Sequence, residues 1–190
     1  FPATLPETPF DFVMMALVEF QDEGLLMLPT HRVIHSFGSL PKKEFLDRLR
    51  LHFDFLAYEE NEIYSELEKR PEKEKVLGGL FGKDGNFLLR LKDLEPRVWY
   101  EIEANLLTDL VFGSLWAIPE AERQAQMTYT RSWEEAAQAV QSERAAAAFL
   151  LRSMRVDTIR ELADTGERMT QKTTYFYPKL ASGLFFYHHG

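Results

Sequence analysis

The sequence predicts an α+β domain with a mainly antiparallel mixed sheet and helices packed on one face. Three observations carry this expectation. Residues 76–81 and 87–91 are apolar runs separated by Gly82-Lys83-Asp84-Gly85-Asn86, and Asp-Gly between two such runs marks a β-hairpin. Apolar residues recur at helical spacing in two long stripes, Phe45, Leu49, Phe53, Leu56 and Trp99, Ile102, Leu106, Leu110. Strands and helices mix along the chain, with at least two hairpins.

Taken in order, residues 1–9 hold three prolines and read as an extended linker, followed by a single α+β domain over 10–190. Residues 12–20 are apolar on both faces and predict a buried strand, turning at Gly24 into a second strand over 25–33. Ser39 is a candidate cap for a helix running to Tyr58, and a polar helix follows over 61–69. The glutamates from Glu59 to Glu74 are interleaved with Lys69, Lys73 and Lys75, the pattern of a solvated helix face and not of a metal site. His52 has no second ligand four residues away and reads as a packed or surface histidine.

The glycines at 78, 79, 82 and 85 lack a following Gly-Lys-Ser/Thr and helix, so they do not form a phosphate-cradling loop. A broad apolar stripe predicts a helix over about 98–117, stopped by Pro119. Residues 127–130 read as a short strand. Ser132 and Glu135 stand three apart as a capping box opening a helix to about Gln141. Residues 144–152 are helical by alanine content but sit between two well-marked helices, and are read as a strand. A helix over 156–165 ends at Gly166, and 184–187 read as a last strand.

Composition narrows the function. The 190 residues include 45% hydrophobic side chains and 15 phenylalanines, enough for a packed core. With no cysteine, disulfides and zinc–thiolate sites are excluded, which suits a reducing cytoplasm. No apolar run has the 18 or so residues of a membrane helix. The net charge of −8 argues against nucleic-acid partners, because a phosphate backbone needs clustered Lys and Arg. No Gly-x-Ser-x-Gly or cysteine nucleophile is present.

Against this acidic background, residues 172–179 are locally basic: Lys172-Thr173-Thr174-Tyr175-Phe176-Tyr177-Pro178-Lys179. Period-2 alternation would set Thr173, Tyr175, Tyr177 and Lys179 on one side and Thr174, Phe176 and Pro178 on the other. One reading makes the aromatic triplet core and the lysines solvated. The other makes Lys172 and Lys179 point charges for an anion, with Thr173, Thr174 and Tyr175 supplying hydroxyls. Thr30, His31 and Arg32 follow Pro29 at a predicted strand end. They read either as strand-end polar groups or as anion contacts, with Arg32 offering a bidentate fork. If the second reading holds for both segments, they converge at one cleft.

Residues 166–179, with Ser182-Gly183-Leu184, resemble the family of domain of unknown function 1015, whose near-terminal run reads Gly-Glu-x-Met-Pro-x-Lys-Ser-Thr-Tyr-Phe-Tyr-Pro-Lys. Thr170 stands where the family has proline and Thr173 where it has serine. Residues 28–32, Leu-Pro-Thr-His-Arg, resemble a second family segment, and Tyr129-Thr130-Arg131 a third. The resemblance implies that the chain is the C-terminal half of a longer protein, in agreement with a first residue, Phe1, that is not methionine. Longer relatives carry an upstream Asp-Gly-His-His-Arg-Tyr-like motif that this chain lacks; its one His-His pair is His188-His189.

That absent motif resembles one of the partition-protein/sulfiredoxin superfamily, which includes free-serine kinases. By that resemblance the intact protein is expected to be a phosphotransferase for a small metabolite. This half would supply anion-binding residues, would be inactive alone, and would have as partners the N-terminal half and a phosphate-bearing small molecule. The contrasting expectation is a non-catalytic structural or dimerisation module, working as a homodimer. Neither expectation assigns a catalytic residue, a metal or a cofactor.

Overall fold

The structure is a computed structural model that describes residues 8, 11–19, 22–92, 102–166, 172–173, 175–184 and 186. The chain divides into two units, Met27–Tyr175 and a smaller one of Phe1–Leu26 with Phe176–Gly190. The elements run β1 (Leu26–Met27), β2 (His31–Ile34), α1 (Lys42–His52), β3 (Phe53–Ala57), α2 (Glu60–Lys69), β4 (Val76–Leu80) and β5 (Asn86–Leu91). There follow α3 (Glu103–Leu106), a π-helical continuation (Leu107–Trp116), α4 (Glu120–Ala125), β6 (Met127–Thr130), α5 (Trp133–Gln141), β7 (Ala147–Leu150), α6 (Val156–Thr165) and β8 (Phe176–Tyr177).

The larger unit is built on a six-stranded sheet in the order β3-β5-β4-β7-β2-β6. Its neighbouring strands are paired antiparallel throughout. β1 and β8 form a separate two-stranded sheet. The α+β class and the antiparallel sheet are as the sequence predicts. The helices, however, cover both faces and not one. Central strand β7 shows why: it is buried along its whole length, and its side chains alternate between two cores. Ala147 and Phe149 join one core with α1, the α3 π-helix and α6; Ala148 and Leu150 join the other with α2 and α5. Phe149 makes edge-on ring contacts with Phe45, Phe81 and Phe112 at 6.3, 5.8 and 5.7 Å.

Several local expectations hold. The Asp-Gly hairpin pairs Leu80 with Asn86, and Gly82 and Gly85 take the positive φ (59° and 103°) that the turn demands. The Ser132 hydroxyl accepts from Glu135 N–H at 3.1 Å and caps α5. Residues 147–150 are a strand, and α6 ends at Gly166 with φ 73°.

Others do not. Residues 12–19 form no strand, and Val13 and Leu17 are 75% and 88% exposed. The predicted hairpin partner, β2, has both edges taken by β6 and β7, so no place beside it remains. The helix expected to reach Tyr58 ends at His52. Phe53 and Leu56 fit the helical stripe by coincidence, but Phe53–Ala57 gain a five-residue ladder with β5 instead. Ser39 does not cap α1, whose N-cap position is held by Pro41 without a side-chain bond. Trp99 and much of 184–187 lie outside the described residues, as does nearly all of the expected 1–9 linker. Among the described residues no helix is long and apolar enough to cross a membrane.

Candidate functional site

His31 and Arg32 are consecutive in β2, and consecutive strand residues point to opposite faces. Arg32 faces the Phe149 side. It stands in register with Tyr129 on β6 and Phe149 on β7, and its guanidinium lies 5.2 Å from the centre of the Tyr129 ring. It is 2% exposed. Its two terminal nitrogens donate to the carbonyl of Thr30 and, at 3.3 Å, to that of Lys172. No carboxylate pairs with it among the described residues. Burial pulls its pKa down to about 10, with the Tyr129 hydroxyl acting the other way, so it stays cationic at neutral pH.

His31 lies on the other face. Its Nδ1 accepts from Leu151 N–H at 3.2 Å, and its ring meets Tyr64 edge-on at 5.5 Å. With Nδ1 accepting, the neutral ring carries its proton on Nε2, which is buried without a partner among the described residues. Burial, then the Arg32 cation, push the pKa down to about 4, opposed weakly by Glu134. His31 is therefore a neutral core residue and not part of a shared anion contact with Arg32. Strand alternation separates the two.

The Arg32–Lys172 bond joins segments 140 residues apart. A second tie runs from Leu28 N–H to the Tyr175 carbonyl at 3.0 Å. A third places the Arg131 guanidinium 4.4 Å from the Tyr175 ring centre. These contacts frame a groove of about 450 Å³ lined by Thr30, Met127, Thr128, Tyr129, Thr130, Arg131, Lys172 and Tyr175. The lining has two cations and no acid. Thr130 is engaged with Glu135, and Thr128 with His35 Nε2 at 2.8 Å. Thr30 is 8% exposed. Lys172 holds a left-handed backbone, φ 61°, uncommon for a residue with a β-carbon and costing about 1 kcal/mol. Arg32 grips the carbonyl of that residue.

The other predicted site residues are dispersed. Thr173 is buried and lines, with Thr30, a neighbouring cavity of about 230 Å³. Its four cations are engaged: Arg152 with Glu103, Arg155 with Glu72 at 2.9 Å, Arg70 with Glu74 at 3.9 Å, and Lys75 with the Glu72 carbonyl at 3.3 Å. Thr174 lies outside the described residues. Lys179 belongs to the smaller unit and is exposed. Arg131, which the sequence placed in a motif but not in the site, is one of the groove's two cations; the Tyr-Thr-Arg segment was the signal that could have found it. Among the described residues no three His, Cys, Asp or Glu side chains are arranged to hold a metal ion.

Fold and groove together define an α+β domain whose antiparallel sheet carries a basic, hydroxyl-rich groove at its β6 edge. The chain belongs to the family described as "Protein of unknown function (DUF1015)", whose profile matches residues 2–130.

Solved structures of the same fold include a free serine kinase in complex with AMP, with TM-score 0.53 and 13% identity over 85% of this chain and 57% of that one. A conserved hypothetical protein from Pyrococcus furiosus has TM-score 0.52 and 15% identity over 85% of this chain and 60% of that one. A free serine kinase variant in complex with ADP has TM-score 0.51 and 13% identity over 85% and 57%. The chain thus spans under two thirds of the length of these structures. A search of curated proteins finds no match.

Proposed function

We propose that the groove framed by Thr30, Arg131, Lys172 and Tyr175 binds the phosphate-bearing part of a small molecule, and that the protein serves a phosphotransferase of small metabolites. One observation carries this reading: segments 140 residues apart converge on a groove lined by two cations and no acid. Phosphoryl transfer asks a protein chiefly to position phosphates and neutralise their charge. Lys172 and Arg131 supply charge, Thr30 supplies a hydroxyl, and Arg32 holds the Lys172 backbone in place. The fold likeness to free serine kinases solved with AMP and ADP supports the reading.

The test is a thermal-shift titration with phosphate, pyrophosphate, ADP and ATP on the chain, beside Lys172→Ala and Arg131→Ala. A ligand at a hundredfold its Kd stabilises the folded state by about 2.7 kcal/mol. Each substitution is expected to weaken pyrophosphate about tenfold or more, the loss of one charge-assisted hydrogen bond. Saturable binding that survives both substitutions, or no binding at all, overturns the reading.

A second reading, a structural or dimerisation module, is favoured by the apolar run at 12–18, where Val13 and Leu17 are 75% and 88% exposed. It predicts a concentration-dependent mass in sedimentation equilibrium that Leu17→Glu abolishes.

A further inference from the structure

On the Phe149 side of the sheet, a separate cavity of about 190 Å³ lies between β2, β6, the α3 π-helix and α4. It is not the groove: neither Lys172 nor Arg131 lines it. Two of its walls are arginines, Arg32 and Arg123. Neither is ion-paired with an acid among the described residues. A fully buried arginine without an anionic partner is unusual, because removing the cation from water is costly and carbonyl acceptors only partly offset it. The Tyr129 face and the two carbonyls steady the Arg32 guanidinium, yet they use only part of its five-donor fork. The one acid on the wall, Glu120, accepts from Gln124 on its own helix at 3.4 Å.

The rest of the wall is Thr108, whose hydroxyl donates to the Ala104 carbonyl at 2.8 Å, and the side chains of Phe112, Met127 and Tyr129. Phe112 and Met127 face the space, and Phe112 is fixed edge-on against Phe149 at 5.7 Å and Trp116 at 5.7 Å. A cavity on the order of 150 Å³ accommodates a benzene ring, so this one holds a small ring or short chain with a single head group. An anionic head between two guanidinium groups, with a hydrocarbon body against Phe112 and Met127, satisfies both kinds of wall. A carboxylate matches the planar fork of arginine in two parallel hydrogen bonds.

We propose that this cavity is a binding site for a small organic acid, held through its carboxylate by Arg32 and Arg123. The site stands on those two arginines and does not depend on what occupies the groove.

Isothermal titration of the chain with benzoate, and separately with acetate and inorganic phosphate, tests it. Benzoate is expected to bind saturably and more tightly than acetate, because only benzoate fills the apolar wall. Arg123→Gln is expected to weaken benzoate about tenfold or more. Lys172→Ala should leave benzoate unchanged, which separates this site from the groove. Arg32→Lys keeps the charge but removes the fork, and should also weaken benzoate. If Arg32→Lys unfolds the chain, Arg123→Gln, at a half-buried position on α4, still decides. The proposal is overturned by the absence of saturable benzoate binding up to about 10 mM, by equal affinity in Arg123→Gln, or by benzoate binding that disappears with Lys172→Ala. Loss of pyrophosphate binding in Lys172→Ala with benzoate intact supports both sites. Benzoate binding that depends on Arg123 beside a groove that binds nothing supports this one alone.

Discussion

His31 sets a pH dependence at the scale of one residue. Its pKa is 6.5 in an ordinary setting and about 4 in the folded protein, so the native state refuses a proton that the unfolded chain accepts. Above pH 6.5 both states are neutral and His31 contributes no slope. As pH falls from about 6.5 to 4 stability is lost, and below 4 the loss stops growing. The full loss is roughly 3 kcal/mol, of which about 2 kcal/mol accrues between pH 7 and 5. Urea unfolding at those two pH values should show it, and His31→Gln should remove that part of the difference. An unchanged difference in the variant would show that the ring titrates freely in the native state. Arg32, one position along, shows the opposite use of burial. It stays charged, and its carbonyl bonds tie β2 to Lys172.

At the scale of the element, strand β4 is closely packed. All five of its residues are buried, and two are glycines. A β-carbon at Gly78 would stand 2.8 Å from Leu150 Cβ on the neighbouring strand, and one at Gly79 2.7 Å from the Phe81 ring. Leu150 Cβ is tied to the backbone of β7, so relief requires the strands to part. Gly78→Ala is expected to cost about 1–3 kcal/mol in chemical denaturation, with no effect on anion binding in the groove. A stability equal to that of the parent would mean that β4 and β7 have slack the packing does not show. The helix cap is a smaller lever: Ser132→Ala should cost about 1 kcal/mol, because Glu135 N–H loses its acceptor.

At the scale of the larger unit, Arg152 stitches together distant parts of the chain. It pairs with Glu103 at the start of α3, side chains 10% and 15% exposed. It also donates to the carbonyls of Arg70 and Glu74, at 2.9 and 2.8 Å, in the turn between α2 and β4. Removing one partner leaves the other charge buried and unpaired. Arg152→Met is therefore expected to cost about 3–5 kcal/mol, and the double variant with Glu103→Gln less than the sum of the two single ones. Additive losses in that double-mutant cycle would show that the two side chains act independently.

Features governed by a few neighbouring residues were legible in the sequence. The Asp-Gly hairpin, the Ser132 cap, the Gly166 stop and the short strand before Ser132 each depend on turn geometry or on one hydrogen bond across three residues. Strand alternation along β2 sets His31 and Arg32 on opposite faces, against the shared site that their chemistry suggested. The strand at 147–150 needed its place between two helices to outweigh its alanines. Tertiary structure alone decided the rest. Phe53 and Leu56 fit a helix as well as a strand, and the ladder offered by β5 settled the matter. The apolar run at 12–20 looked like a core strand, but β2 takes its partners from residues some hundred positions onward. Arg123 carries no local mark at all; its meaning comes from Arg32, brought opposite by the sheet. Local hydrogen bonds are made within a few residues and can be read there. Which strand fills an edge, and which charge ends up buried without an anionic partner, is decided by the balance of burial and backbone pairing over the whole chain.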